Sequence, residues 1–238
     1  MKVTLAQIAP KLNRSNLEEI ANIVKEYSDK SDLIVFPELS LNGYLLQDKL
    51  YEDAWIIDEL QSLKELSLGI DIVVGGAMRE GKLFRNSALY FSKGQFLSQH
   101  NKVHLPNYGM FEEARYFSAG NVFESFVSAH GKVSMLVCED LWHASVHNEL
   151  YVQNPDYIIA LVASPARGFL DEGLLIQEQW YALIKSVALQ CDAKVIFVNR
   201  VGFEDGLGFW GGSCIVNSDS RILHKLEEYK TQIQTFEI

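Results

Sequence analysis

Three side chains suited to acyl-transfer chemistry stand where apolar runs give way to polar sequence. Glu38 follows DLIVFP, Lys102 lies within HNKVHLP and Cys138 closes KVSMLVC. A thiol that loses its proton is a nucleophile, and a carboxylate within hydrogen-bond reach can take that proton. A fixed ammonium can stabilise the negative charge that builds on a substrate oxygen or nitrogen during attack. A base, a cation and a thiol together are therefore equipped to attack an amide or nitrile carbon and pass through a thioester. Each residue also has a plainer explanation. A cysteine in an apolar run commonly serves as a small buried hydrophobe, and a Glu or Lys after a strand commonly faces water. The three do chemistry only where the fold brings them to one place.

The elements that must do so alternate along the chain. Periodicity predicts a strand over 3–9, a helix over 15–30 with Ser15 as N-cap, and a strand over 32–38 ended by a proline. A helix over 53–67 follows, then strands over 71–78 and 82–92 and another leading into 100–106. Next come a strand over 132–139, a helix over 145–153, a strand over 156–164, a long amphipathic helix over 173–190 and a strand over 194–200. A hairpin over 213–226, turning around Asn217–Ser220, completes the pattern. Runs such as LIVF and VIFV, apolar on both faces, mark central strands covered on both sides, so the class is α/β with layered sheets. Ligands of open α/β sheets bind at the carboxyl ends of strands, and that is where Glu38 and Cys138 fall.

The 238 residues, 48% hydrophobic and 22% charged, suit one domain over 1–238, with no Pro/Gly/Ser-rich linker to divide it. A formal charge of −10 argues against nucleic acid or an anionic membrane as partner. No leader and no long apolar segment is evident, which predicts a cytoplasmic protein. Cys138, Cys191 and Cys214 are odd in number and far apart, as expected of reduced thiols. GLGFWG (206–211) fits G-x-G-x-x-G but leads into the apolar run SCIV and not a helix, so it reads as a loop and not a dinucleotide site. His143 and His147, with Cys138 and Glu139, offer a zinc site as the competing chemistry. Without an HExxH order or a second nearby cysteine, the expectation is no metal.

The words around the three residues carry more than their spacing. FPELSLNGY, HNKVHLPNYGMFEEARYF and LVCEDLW resemble the three signature segments of the nitrilase, or carbon-nitrogen hydrolase, superfamily. The resemblance implies an α-β-β-α sandwich in which Glu38, Lys102 and Cys138 form the catalytic triad. It also implies Glu113 of FEEARYF as an auxiliary acid, the N–H of Glu139 as part of an oxyanion hole, no cofactor, and a homo-oligomer paired through a helical face. HLPNYG with CEDLW looks most like the glutaminase domain of glutamine-dependent NAD synthetases. By that likeness Tyr108 lines a glutamine pocket, Ser164 of VASPARG helps bind the amino-acid end, and Trp142 walls the pocket. Two features depart from the likeness. No SGGxDS-type pyrophosphate loop is present, and Gly208, Phe209 and Trp210 stand where that family shows valine, phenylalanine and aspartate. Two readings of the substrate therefore stay open. One is a free-standing glutaminase subunit, feeding ammonia to a separate synthetase in NAD biosynthesis. The other is an amidase, carbamoylase or nitrilase for another small molecule. A non-catalytic binding protein that keeps the fold is the third class.

Overall fold

The apolar runs assemble into two six-stranded sheets in the computed structural model, which describes residues 1–238. The first sheet holds β1 (Lys2–Gln7), β2 (Leu33–Val35), β3 (Asp71–Glu80), β4 (Leu83–Ser92), β5 (Gln95–Asn101) and the C-terminal β14 (Gln232–Glu237), in the order β14-β1-β2-β3-β4-β5. The second holds β6 (Ser125–Ser128), β7 (Gly131–Val137), β8 (Tyr157–Val162), β9 (Lys194–Asn199), β12 (Cys214–Val216) and β13 (Ile222–Lys225), in the order β13-β12-β9-β8-β7-β6. A separate hairpin pairs β10 (Val201–Glu204) with β11 (Leu207–Trp210). The helices are α1 (Asn16–Tyr27), α2 (Leu50–Asp53), α3 (Gln61–Leu66), α4 (Glu113–Tyr116), α5 (Ala144–Gln153) and α6 (Leu175–Cys191).

Successive strand residues point to opposite faces, and that alternation builds four layers. In β9, Ile196 and Val198 pack against the other sheet, while Val195 and Phe197 pack against α6. Val3, Leu5, Val35 and Val73 of the first sheet meet Val133, Met135, Ile159 and Leu161 of the second in the same inter-sheet cluster. Helix α6 presents Trp180, Ile184, Val187, Ala188 and Cys191 at three- and four-residue spacing, one stripe of a helix. Ile20 and Val24 of α1, with Leu63 of α3, cover the outer face of the first sheet in the same way. The expected α-β-β-α sandwich is the architecture found.

Several local expectations are corrected. The helix over 53–67 is broken, because Trp55 leaves it to bridge Met78, with its N–H 2.8 Å from the Ala77 carbonyl. Burial of that indole outweighs helix continuity. Ser15 does not cap α1 with its side chain. Asn16 holds the entry instead, accepting from the Lys11 N–H at 2.9 Å and donating to the Lys11 carbonyl at 2.7 Å. GLGFWG is not a loop but mostly β11. Its hairpin turns at Asp205 and Gly206, both at positive φ (47° and 79°), as a two-residue Asp-Gly turn requires. Strand β7 stops at Val137, before Cys138. Strands β6 and β14 escape the sequence pattern because Ser125 and Ser128 bound only two apolar residues in the first, and Gln232, Gln234, Thr235 and Glu237 interrupt the second.

Candidate active site

Glu38 is placed by the parallel strand β2. The chain leaves it through Phe36, whose N–H bonds the Val73 carbonyl at 2.9 Å, and reaches Glu38 fully buried. Leu39 then turns the chain away at φ 50°. Gly75 of β3 lies directly beneath this bend. A Cβ there would stand 2.5 Å from both the Pro37 carbonyl oxygen and the Leu39 nitrogen, so only glycine lets the two backbones approach.

Cys138 begins a tight 3-10 turn, Cys138–Trp142, and adopts φ 44°. The left-handed region costs a non-glycine residue roughly 1–2 kcal/mol. Strain of that kind projects a side chain off the end of a strand. Lys102 follows β5, with its N–H held 2.8 Å from the Asn86 carbonyl, and is 1% exposed. Glu113 opens α4, its N–H bonded to the Pro106 carbonyl.

These four positions converge. Lys102 Nζ donates to Glu38 Oε1 at 2.8 Å and to Glu113 Oε1 at 2.8 Å, with Glu113 Oε2 equally near. The second Glu38 oxygen accepts the Ala163 N–H at 2.8 Å, from the end of β8. Burial works against charge on Lys102, but Glu113 and Glu38 outweigh it and hold the ammonium well above its ordinary pKa. Burial also pushes the Cys138 thiol well above its usual range. Glu38 and Glu113 push the same way, against Lys102 and the Ala163 N–H. The resting group is therefore a thiol, since a thiolate would be a third anion beside one cation. Burial raises Glu113 too, restrained by Lys102.

Three residues that sequence reasoning missed complete this network. Asn86 Nδ2 donates to Glu38 Oε1 at 2.8 Å, and the Tyr44 hydroxyl donates to Glu113 Oε1 at 2.6 Å. Asp140 is completely buried and ties the lysine segment to the cysteine turn. Its Oδ1 accepts the N–H groups of Val103 (3.1 Å) and His104 (2.9 Å), and its Oδ2 accepts that of Val137 (3.2 Å) and lies 2.8 Å from His100 Nε2. Against the penalty of burial, the bond from His100 and its charge lead the effects that hold Asp140 below the usual carboxylate range. The signal for Asn86 was a polar residue inside an apolar strand. Nothing local marked Asp140 apart from Glu139.

Cys138 lines a narrow, nearly closed cleft. Trp142, Glu139 and Ser164 line it with Tyr44, Phe111 and Arg167. Trp142 stacks edge-on against Trp180, whose indole N–H donates to Ser164 Oγ at 2.9 Å. Tyr108 stands at the rim, about half exposed, with its hydroxyl 2.9 Å from Glu139 Oε2. A larger, more apolar cavity lies on the other side of Tyr44 and Glu113, but the thiol does not line it. His143 and His147 do not gather around Cys138. His143 stacks on His104 at 3.5 Å, and His147 Nε2 lies 2.8 Å from the Leu141 carbonyl.

With this geometry in view, the model of the family described as carbon-nitrogen hydrolase matches residues 2–238. The chain belongs to the carbon-nitrogen hydrolase family. Among curated relatives of this hydrolase, the glutamine-dependent NAD(+) synthetase of Acinetobacter baylyi is 31% identical over 98% of this chain and 43% of its own length. That of Thermotoga maritima is 29% identical over 100% and 42%. The hydrolase thus spans less than half the length of these relatives. The solved structure of the Acinetobacter baumannii glutamine-dependent NAD+ synthetase, bound to ADP, superposes with a TM-score of 0.88 at 29% identity, covering 98% of this chain and 44% of that one. An amidase from Nesterenkonia sp. shares the fold, with a TM-score of 0.84 at 23% identity over 100% of this chain and 90% of that one. No helix is long and apolar enough to cross a membrane.

Proposed function

We propose that this hydrolase cleaves the side-chain amide of glutamine through a thioester on Cys138, releasing ammonia. The observation that carries the chemistry is the buried Glu38–Lys102–Glu113 network beside a strained cysteine at a cleft. The choice of glutamine rests on the likeness of nearly the whole chain to part of glutamine-dependent synthetases. Because the resting thiol is neutral, Glu38 takes its proton as Sγ bonds to the amide carbon. The carbonyl π electrons move to oxygen. Lys102 has three N–H donors, and Glu38 and Glu113 occupy two, so one is left for that oxyanion beside the Glu139 N–H. Glu38 returns the proton to the nitrogen as the carbon–nitrogen bond breaks and ammonia leaves. Water then attacks the thioester, giving a proton to Glu38 and thence to the sulfur, which releases glutamate.

Glu113 and the Tyr44 hydroxyl behind it keep Lys102 charged and fixed, so the oxyanion donor needs no reorganisation during attack. The ammonia would serve a synthetase reaction, on the same or a separate chain. The test is ammonia release from a panel of amides led by glutamine. Cys138→Ala should abolish release from every amide while its far-UV circular dichroism matches wild type. Turnover at the wild-type rate in that variant would overturn the mechanism, and a preference for amides unrelated to glutamine would overturn the substrate.

A further inference from the structure

One charged group of the cleft takes no part in the proposed thioester chemistry. Arg167 is the only cation lining the cleft around Cys138, whose walls are otherwise mainly apolar. None of the salt bridges of the chain includes it. Its guanidinium sits 5.4 Å from the centre of the Phe111 ring, and the other charge on the lip, Glu139, already accepts the Tyr108 hydroxyl. Arg167 is thus a partly exposed cation beside the Tyr108 hydroxyl, with no carboxylate in salt-bridge range and donors left to offer an anion in the cleft.

The segment that carries Arg167 is held on both sides. The Ala166 N–H bonds the Gly208 carbonyl at 2.7 Å, and the Leu175 N–H bonds the Gly168 carbonyl at 2.8 Å. Gly168 takes φ 66°, and a Cβ there would stand 2.9 Å from that of Leu175, so the loop turns tightly against the start of α6. The arginine is thus preorganised by its backbone and by an aromatic face, which cuts the ordering cost of binding.

We infer that Arg167 is a specificity-determining residue that pairs with a carboxylate at the end of the substrate remote from the amide. The inference rests on Cys138 being the nucleophile of this cleft and deepens that reading by naming the substrate class: an amide that also carries a carboxylate. One guanidinium matches one planar carboxylate through paired N–H···O bonds. A neutral amide would leave the charge unanswered.

The test compares glutaramate, which carries an amide at one end and a carboxylate at the other, with butyramide, the same chain without the carboxylate. In Arg167→Gln the ratio of kcat/KM for glutaramate over butyramide falls about ten- to a hundredfold, mainly through KM, and Arg167→Lys recovers part of it. Calorimetry of glutaramate binding to Cys138→Ala, with and without Arg167→Gln, reads the same loss as a rise in Kd of that size without turnover. A ratio unchanged by Arg167→Gln, or butyramide and glutaramate losing activity alike, would refute the inference. Should the wild type release ammonia from no amide, the hydrolytic reading fails, and the Kd comparison alone decides Arg167.

Discussion

Replacing Asp140 by alanine tests whether the acid two residues after Cys138 holds the site together. Four groups reach its carboxylate, the N–H groups of Val103, His104 and Val137 and the ring of His100, all within 3.2 Å. Alanine removes the shared acceptor and strands these donors where no water reaches Asp140. Four separate losses at ~1–3 kcal/mol each would overstate the cost, because the groups share one anion and partly relax together. The measured cost of breaking a buried ionic cluster, about 3–5 kcal/mol, is the better guide. For a chain of this size each kcal/mol moves Tm by about 2–4 °C, so Asp140→Ala should melt about 6–20 °C lower. Thermal unfolding by circular dichroism measures this, with Asp219→Asn as control, since that acid pairs with Arg221 at the surface and should leave Tm unchanged.

The acid limb gives a second reading of the same residue. The folded-state pKa of Asp140 is depressed, so its stabilisation is complete above the unfolded carboxylate pKa near ~3.9 and is lost as pH falls through the lower folded value. Asp140→Asn keeps two of the acceptor contacts but cannot titrate, so it should flatten that part of the acid limb. A Tm for Asp140→Ala within 2 °C of wild type would refute the reasoning, since ~2 °C corresponds to at most about 1 kcal/mol.

Gly75→Ala should force apart the backbones of β3 and the Glu38 bend, costing ~1–3 kcal/mol in stability and, for a shift of ~1 Å at Glu38, about a hundredfold in kcat; a variant with wild-type kcat would contradict the placement of the base. Burial and the stacked His143 lower the pKa of His104, so the unfolded chain binds more protons just below pH ~6.5 and stability rises with pH there. His104→Gln should reduce the difference in Tm between pH 5 and pH 7.5, and an undiminished difference would assign the slope elsewhere. Tyr151 and Val152 of α5 and Leu189 of α6 are 65%, 70% and 62% exposed on neighbouring helices, in keeping with the expected homo-oligomer. Sedimentation at micromolar concentration should show a dimer or larger species, and Val152→Asp should shift it toward monomer; a wild-type monomer would refute this.

The layered α/β plan was legible because buried strands and α6 carry strong periods of two and 3.6. The interruption at Trp55 was not, because a single indole finding the core overrides an acceptable helical pattern. The reactive residues were legible as types placed at strand ends, and the resemblance singled them out. Their supports were hidden by distance along the chain: Asn86 reaches Glu38 across 48 positions, and Ala163 does so across 125. Asp140 shows the limit most clearly. Next to Glu139 in sequence it is chemically equivalent, yet one carboxylate sits at the cleft while the other is sealed between two loops.

That difference bears on how Cys138 would be activated in the proposed mechanism. A base adjacent in sequence would have to fold back from the turn that Cys138 starts, and Asp140 is prevented from doing so by the four groups it already serves. Glu38 arrives from the opposite sheet, so the thiol and its proposed base are carried by different layers and meet only when the sandwich is closed. The cluster they form places two carboxylates about one ammonium in a dry interior, an arrangement that replacing ions with apolar groups would stabilise as often as not. In the proposed mechanism the cluster acts on charge: Glu113 and Glu38 keep Lys102 ionised against burial, and burial with the same anions keeps Cys138 protonated until a substrate carbonyl is there to receive the electrons. On that proposal proton transfer and attack are coupled, and the neutral thiol is a poor target for adventitious electrophiles while the cleft is empty.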